Sequence, residues 1–131
     1  MKDNGLRIII RKPIEEVFEF TTNPNNTHKW IKSITEEKSD NYPAKIGTIY
    51  RNSNKGSDIW NKYEVIELEN NKLFTLKSDD GNYYVKYTYK SINKETTELT
   101  YFEWVEKGEL KNPFTEEVLK GLKYVMEIER I

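Results

Sequence analysis

Hydrophobic and polar positions alternate most regularly between Tyr83 and Lys90, where Tyr83, Val85, Tyr87 and Tyr89 hold one phase and Tyr84, Lys86, Thr88 and Lys90 the other. A period of two is the mark of a strand with one covered face, so the aromatic phase is expected inside and the charged phase outside. The same logic applies along most of the chain. Leu6 to Lys12 is a β-branched first strand, with Leu6, Ile8 and Ile10 opposing Arg7, Ile9 and Arg11. From Ser33 to Glu106, strand-like runs are separated by turn residues at Asn52 to Ser57, Asn70-Asn71, Asp79 to Asn82 and Asn93 to Glu95, which predicts an antiparallel meander. Within it Tyr63 and Val65 face inward against Lys62 and Glu64. Phe74 and Leu76 oppose Thr75 and Lys77, and Leu99, Tyr101, Glu103 and Val105 oppose Glu98 and Thr100. Gly47 to Asn52 has no clear phase: either Thr48 and Tyr50 or Ile49 and Arg51 face inward.

Helical spacing interrupts this pattern twice. Pro13 suits a first helical position, Glu15 and Glu16 suit the positive end of the helix dipole, and Ile14, Val17 and Phe18 form a stripe that ends at Asn23-Pro24. Asn26 or Thr27 caps a second short helix carrying Trp30 and Ile31. After Gly108, Asn112 and Pro113 predict the start of a helix running nearly to Ile131, with Phe114, Val118, Leu122, Val125 and Met126 on its apolar side. Gly121 and Glu129 interrupt that side. A glycine inside a helix costs about 1 kcal/mol relative to alanine, so Gly121 predicts a close backbone approach or room for a ligand. The expected architecture is α+β: a curved antiparallel sheet of about seven strands, in the order β-α-α-β6-α, wrapped around a long C-terminal helix.

Composition narrows what such a domain can do. The 131 residues have room for one core, so a single domain over 1–131 is expected. Lys and Arg number 21 against 22 Asp and Glu, so no global field favours nucleic acid or anionic lipid. No basic-aromatic motif for nucleic acid appears either. The absence of cysteine excludes disulfides, thiolate metal sites and a cysteine nucleophile. No run approaches a membrane span or a signal-peptide core, which makes a cytoplasmic location the expectation. Nine Tyr, five Phe and three Trp make much of the buried surface aromatic, so many interior groups carry hydroxyls.

The chain resembles the START-like superfamily, also called Bet v 1-like or SRPBCC, and within it the polyketide cyclase/dehydrase-like bacterial branch. The carriers are Ile10 to Phe20, the Asn23-Pro24 break leading to Trp30, Ile46-Gly47-Thr48, Tyr63-Glu64-Val65 with Leu73-Phe74, and Thr97 to Tyr101. They span essentially the whole chain. The resemblance implies a helix-grip fold with a cavity between the sheet and the last helix that takes lipids, sterols, polyketides or other hydrophobic molecules. It implies no universal catalytic motif, and no cofactor is expected.

Three functions are compatible with these residues. The first is binding of a small hydrophobic ligand by Trp30, Tyr63, Phe74, Tyr83, Val85, Tyr87, Tyr89, Tyr101, Phe114, Val118, Gly121, Leu122 and Val125. Tyrosine hydroxyls would fix polar groups of that ligand. The second is a cyclase, dehydratase or hydrolase with Glu103 as acid-base residue, since a carboxylate on an apolar face is desolvated and suited to proton transfer. Arg51 is a possible partner of that carboxylate if its phase is inward. The third is an interaction module resembling the Hsp90-activator branch, with Trp60, Phe102 and Trp104 as an outward apolar patch. The protein is expected as a monomer or homodimer. His28 is the only histidine and sits on a polar helix, so no histidine pair or triad exists. Asp79-Asp80-Gly81-Asn82 lacks the spaced ligands of a calcium loop and is explained by a hairpin turn, so no metal site is expected.

Overall fold

The computed structural model describes residues 1–129, with the side chain of Glu129 outside that description. The expected helix end at Arg130 and the placing of Glu129 on the apolar face therefore lie outside the described residues. Seven strands form one antiparallel sheet: β1 (Asp3–Ile10), β2 (Ile34–Ser39), β3 (Ile49–Asn54), β4 (Trp60–Glu69), β5 (Leu73–Ser78), β6 (Tyr83–Asn93) and β7 (Thr96–Val105). Their spatial order is β1-β7-β6-β5-β4-β3-β2, so all neighbours after β1 are consecutive in sequence and only β1 crosses to the far edge, beside β7. Irregularities in pairing at Ile34/Glu36, Val65/Glu67 and Ser91/Asn93 bend the strands, which is how a sheet of this size curls around a helix.

Helix α1 (Ile14–Thr22) follows β1 and is capped by Pro13, with Glu15 and Glu16 in its first turn. It buries Val17, Phe20, Thr21 and Thr22. The two threonines are tolerated because their hydroxyls donate back to the carbonyls of Val17 and Phe18, each at 2.8 Å. A single 3₁₀ turn (Pro24–Asn26) leads into α2 (Thr27–Trp30), which turns Trp30 into the core at 2% exposure. Helix α3 (Glu116–Tyr124) lies against β1 and α2 and continues as a π turn (Val125–Glu129).

Two boundaries differ from the sequence expectation, both because tertiary hydrogen bonds outweigh local propensity. Strand β1 starts at Asp3 rather than Leu6, since its register on β7 runs on through Asp3↔Trp104 and Gly5↔Phe102. Gly5 leaves room on the outer face for the Phe102 ring, whose nearest atom would stand 3.3 Å from a Cβ there. The last helix starts at Glu116 rather than Pro113, because Asn112 has a left-handed φ of 52° and the Phe114 N–H is taken by a side chain of the sheet. The buried face of α3 is also centred on Leu119 and Leu122, with Phe114 placed before the helix.

A carboxylate ties the end of the last helix to the start of the first. Glu127 accepts from the Arg11 backbone N–H at 2.6 Å and from Lys123 Nζ at 2.8 Å. Gly121 makes no close backbone approach: a Cβ there would meet only the Trp30 carbonyl, at an ordinary 3.8 Å. Gly121→Ala is therefore expected to stabilise the fold by about 0.5–1 kcal/mol, raising Tm by roughly 2–6 °C in thermal unfolding followed by circular dichroism. A lowered Tm would contradict this packing.

Candidate ligand site on the concave face

The concave face is organised around Glu103, which stands on the inward phase of β7 and is 1% exposed. Four donors converge on its carboxylate. Asn4 Nδ2 and the Phe114 N–H reach Oε2 at 2.9 and 2.8 Å, while the Tyr83 and Tyr101 hydroxyls reach Oε1 at 2.5 and 3.4 Å. Asn4 Nδ2 also donates to the Phe114 carbonyl at 2.9 Å. One side chain thus joins β1, β6, β7 and the segment entering α3. A reacting ligand atom would have to displace one of these donors before Glu103 could act on it as an acid or base.

Around this knot the interior is filled by rings in mutual contact. Tyr101 stacks on Phe114 at 4.3 Å, Tyr87 meets Tyr101 edge-on at 5.4 Å, and Phe74 lies between Tyr87 at 5.7 Å and Tyr50 at 5.6 Å. Trp30 closes the group edge-on to Tyr87 and Phe114 at 6.4 and 6.3 Å. Burial raises the phenols of Tyr50, Tyr83, Tyr87 and Tyr101, so they remain neutral donors across the ordinary pH range. Trp30 Nε1 is buried without a hydrogen-bond partner.

Of the residues expected to line a site, Trp30, Phe74, Val85, Tyr87, Tyr89, Tyr101 and Leu122 are buried in this packing. Tyr89 belongs to the α1 end, where its hydroxyl lies 2.6 Å from Thr21 Oγ1 and its ring meets Phe18. Tyr63, Tyr83, Phe114, Val118, Gly121 and Val125 stay half-buried, as does Leu76. Tyr83 bonds Glu103 and Phe114 stacks on Tyr101, Leu76 pairs with Val85, Tyr63 pairs with Tyr50 and Ser78, and Val118 stands in the first turn of α3, each partly buried against the core. Space directly under α3 is occupied by Leu119, Leu122 and Met126, each at 1% exposure or less.

Two depressions lie elsewhere. One of about 370 Å³ is lined mainly by outward residues such as Arg51, Lys62, Glu64 and Lys77 and by the turn after β5, and of the expected ligand residues it includes Tyr63. One of about 30 Å³ lies between Phe18, Tyr42 and Leu68. The phase of β3 is settled by its pairing: Tyr50 opposes Tyr63 inside, and Arg51 opposes Lys62 outside and pairs with Asp40. Arg51 is therefore not a partner of Glu103. The outward aromatic patch has a different membership from the expected one. Tyr84 stacks on Trp104 at 4.8 Å with Phe102 beside it at 5.5 Å, while Trp60 stands apart under Lys38 Nζ. His28 is exposed on α2. Among the described residues no group of three or more acids or histidines could hold a metal ion, and no helix is long and apolar enough to cross a membrane.

Sequence reasoning missed a second inward carboxylate. Glu37 of β2 pairs with Asn52, accepts from Thr27 Oγ1 at 2.5 Å and from Asn52 Nδ2 at 3.1 Å, and Asn61 Nδ2 continues the chain to Asn52 Oδ1 at 3.4 Å. Its strand, Thr35-Glu36-Glu37-Lys38, is polar on both phases and carries no signal of which side is covered. Burial raises the Glu37 carboxyl above its ordinary 4.5, against the lowering effect of the Thr27 and Asn52 bonds.

Two expectations follow. Glu103→Ala removes the acceptor that four donors share and should cost about 3 kcal/mol or more in denaturant unfolding, with Glu103→Gln costing about 1–3 kcal/mol because its amide N–H₂ faces one of the donor pairs. A loss under about 1 kcal/mol for the alanine variant would remove Glu103 from its organising role. For Glu37, a raised folded value means the folded chain keeps a proton that the unfolded chain has already lost. The stability this contributes is complete below about 4.5 and is lost as pH climbs through the raised value. Between about pH 4 and about pH 7, Glu37→Gln should lose less stability than the unsubstituted protein, and urea midpoints differing by a pH-independent amount would contradict this.

The family model for Activator of Hsp90 ATPase homolog 1-like protein matches residues 11–127. No curated protein matches the chain significantly by sequence. Among solved structures, the Aha1 dimer from Colwellia psychrerythraea aligns over 100% of both chains at 16% identity, with a TM-score of 0.72. A Mesorhizobium loti protein aligns over 99% of this chain and 100% of its own at 16% identity, with a TM-score of 0.76. CalU16 from Micromonospora echinospora aligns over 97% of this chain and 77% of its own at 18% identity, with a TM-score of 0.67. At such identities the likeness is one of fold, and it agrees with the START-like resemblance of the sequence. With the family match running from Arg11 through α1, the meander and α3 to Glu127, the chain belongs to the Activator of Hsp90 ATPase homolog 1-like family of the START-like, helix-grip superfamily.

Proposed function

We propose that this protein binds a small, mainly apolar molecule on the concave face of its sheet, at the mouth bordered by Tyr63, Leu76, Tyr83, Phe114 and Val118. The observation that carries this reading is a contrast within the inward phase. These five residues stay half-exposed, while their neighbours Phe74, Val85, Tyr87 and Tyr101 are buried at 7% exposure or less. Apolar side chains held inward yet left wet gain when another apolar surface covers them, about 1.5–3 kcal/mol for each one fully buried. The Tyr63 and Tyr87 hydroxyls have no hydrogen-bond partner among the described residues, so they are free to orient a polar group of the ligand. Glu103, already saturated, holds the mouth in shape. The ligand is sequestered or presented unchanged.

Titration with an uncharged polarity-sensitive naphthalene dye should show saturable binding at one site. Leu76→Lys and Val118→Trp, which charge or fill the mouth, should each weaken it by about tenfold, equivalent to about 1.4 kcal/mol. Absence of saturable uptake, or full affinity in both variants, would end this reading.

A further inference from the structure

We propose that a second copy of this chain pairs with the free edge of β1, antiparallel and with the twofold axis at Gly5, so that the two sheets run on into one another.

The first argument is which backbone groups that edge leaves open. β1 and β2 are the two edges of the sheet. The Val105 N–H donates to the Lys2 carbonyl, and the same register continues unbroken from Asp3↔Trp104 to Ile10↔Thr97. Asn4, Leu6, Ile8 and Ile10 therefore turn their N–H and C=O groups toward β7, while Asp3, Gly5, Arg7 and Ile9 turn theirs away from it. This outward row is closed by the chain itself only at its ends, where the Leu110 N–H takes the Met1 carbonyl and Lys123 Nζ takes the Ile9 carbonyl. Between them, the backbone groups of Asp3, Gly5 and Arg7 that face away from β7 have no partner among the described residues. Edges are ordinarily blunted by a bulge or a proline. β2 has a bulge at Ile34/Glu36, whereas β1 runs over eight residues with neither.

The second argument is the register. A twofold axis at Gly5 sets Gly5 against Gly5 of the second copy and Asp3 against its Arg7, on both sides of the axis. These are the residues whose backbone groups are open. An axis at Leu6 would set Asp3 against Ile9, whose carbonyl Lys123 holds, and an axis at Asn4 would set Arg7 against Met1, whose carbonyl Leu110 holds. Charge favours the same register. Asp3 is exposed and has no ion pair among the described residues, and Arg7 is exposed with only Glu98 near it, at 3.7 Å. Opposite charges directly across an antiparallel pair stabilise it, and like charges oppose it.

A third observation lies on the outer face. Phe102 is the β7 neighbour of Gly5 and its ring leans over the glycine, with Cδ1 3.3 Å from the place of a Cβ. Phe102 is nevertheless 36% exposed. A glycine inside a strand weakens it and marks a place where another backbone comes close. In the joined sheets one row reads Phe102, Gly5, Gly5, Phe102, about 14 Å from end to end at about 4.8 Å per strand. Two rings leaning inward over paired glycines meet near the axis, and the Tyr84, Trp104 and Phe102 groups of the two copies become continuous.

The contact is short, about five residues a side, so the dimer is weak and forms at high protein concentration. Sedimentation equilibrium between about 10 µM and about 1 mM should show a reversible monomer–dimer equilibrium. Asp3→Arg and Arg7→Asp each set like charges opposite one another and should weaken dimerisation by about tenfold or more. The double variant, and an equimolar mixture of the two single variants, restore opposite charges and should return it to within about threefold of the unsubstituted protein. Both side chains are exposed, so circular dichroism should show the monomer fold unchanged. In the unsubstituted protein, amide hydrogen exchange at Gly5 and Arg7 should slow as concentration rises, while Leu6 and Ile8, already bonded to β7, exchange at a constant rate. A chain still monomeric at about 1 mM leaves this edge to a different partner, and a dimer that both charge reversals leave intact joins through another face. Either result overturns the assignment, as does association without slower exchange at Gly5 and Arg7.

Discussion

A carboxylate taken out of water must find donors wherever the chain puts it, and leaving one unmatched costs several kcal/mol. Glu103 meets this demand with groups from four separate parts of the chain: Asn4 of β1, Tyr83 of β6, Tyr101 of its own strand and the backbone of Phe114. Much of the molecule depends on that match. The β1–β7 register must bring Asn4 opposite Glu103, and the chain between β7 and α3 must return far enough to offer the Phe114 N–H. The start of the last helix is delayed as a result. The stacked Phe114 and Tyr101 rings share the same anchor, so one polar knot positions the aromatic interior.

The interior that results sets four phenols among its aliphatic side chains. Tyr50, Tyr87, Tyr89 and Tyr101 are all buried, and each hydroxyl needs an answer. Some receive it locally: Tyr50 donates to the Thr22 carbonyl at 2.6 Å, and Tyr89 meets Thr21. These bonds lock the α1 end of the sheet. Toward the other end, near Glu37, Tyr63 and Trp30, polar atoms are left with spare capacity. Polar groups are thus satisfied at one end of the concave face and keep spare capacity at the other.

The two sheet faces follow different rules. Outside, Lys, Glu and Thr alternate across strands and form exposed pairs such as Lys86 with Glu67 and Arg7 with Glu98, which add little individually to stability. The aromatic group of Tyr84, Phe102 and Trp104 interrupts this charged surface, with Gly5 making space for Phe102 on the neighbouring strand. On the inward phase of the strands the acidic side chains are Glu37 and Glu103, and every Lys and Arg of the strands faces outward. Fold likeness alone assigns no role to this face, because one fold hosts many different sites.

The sequence by itself determined the element order, the aromatic inward phase of β6 and β7, and the inward place of Glu103. Each of these is written in an alternation with period two or a stripe near 3.6, signals that survive in a single strand or helix. Only the tertiary structure decided the rest. Arg51 faces outward because β3 pairs Tyr50 with Tyr63. Glu37 faces inward because β2 pairs it with Asn52, in a strand whose own residues are polar on both sides. The last helix begins at Glu116 because a carboxylate eleven positions upstream takes the Phe114 N–H. Local pattern specifies which face of an element is apolar, whereas the partner of a polar group is chosen by register and long-range closure, and these exist only once the sheet has formed.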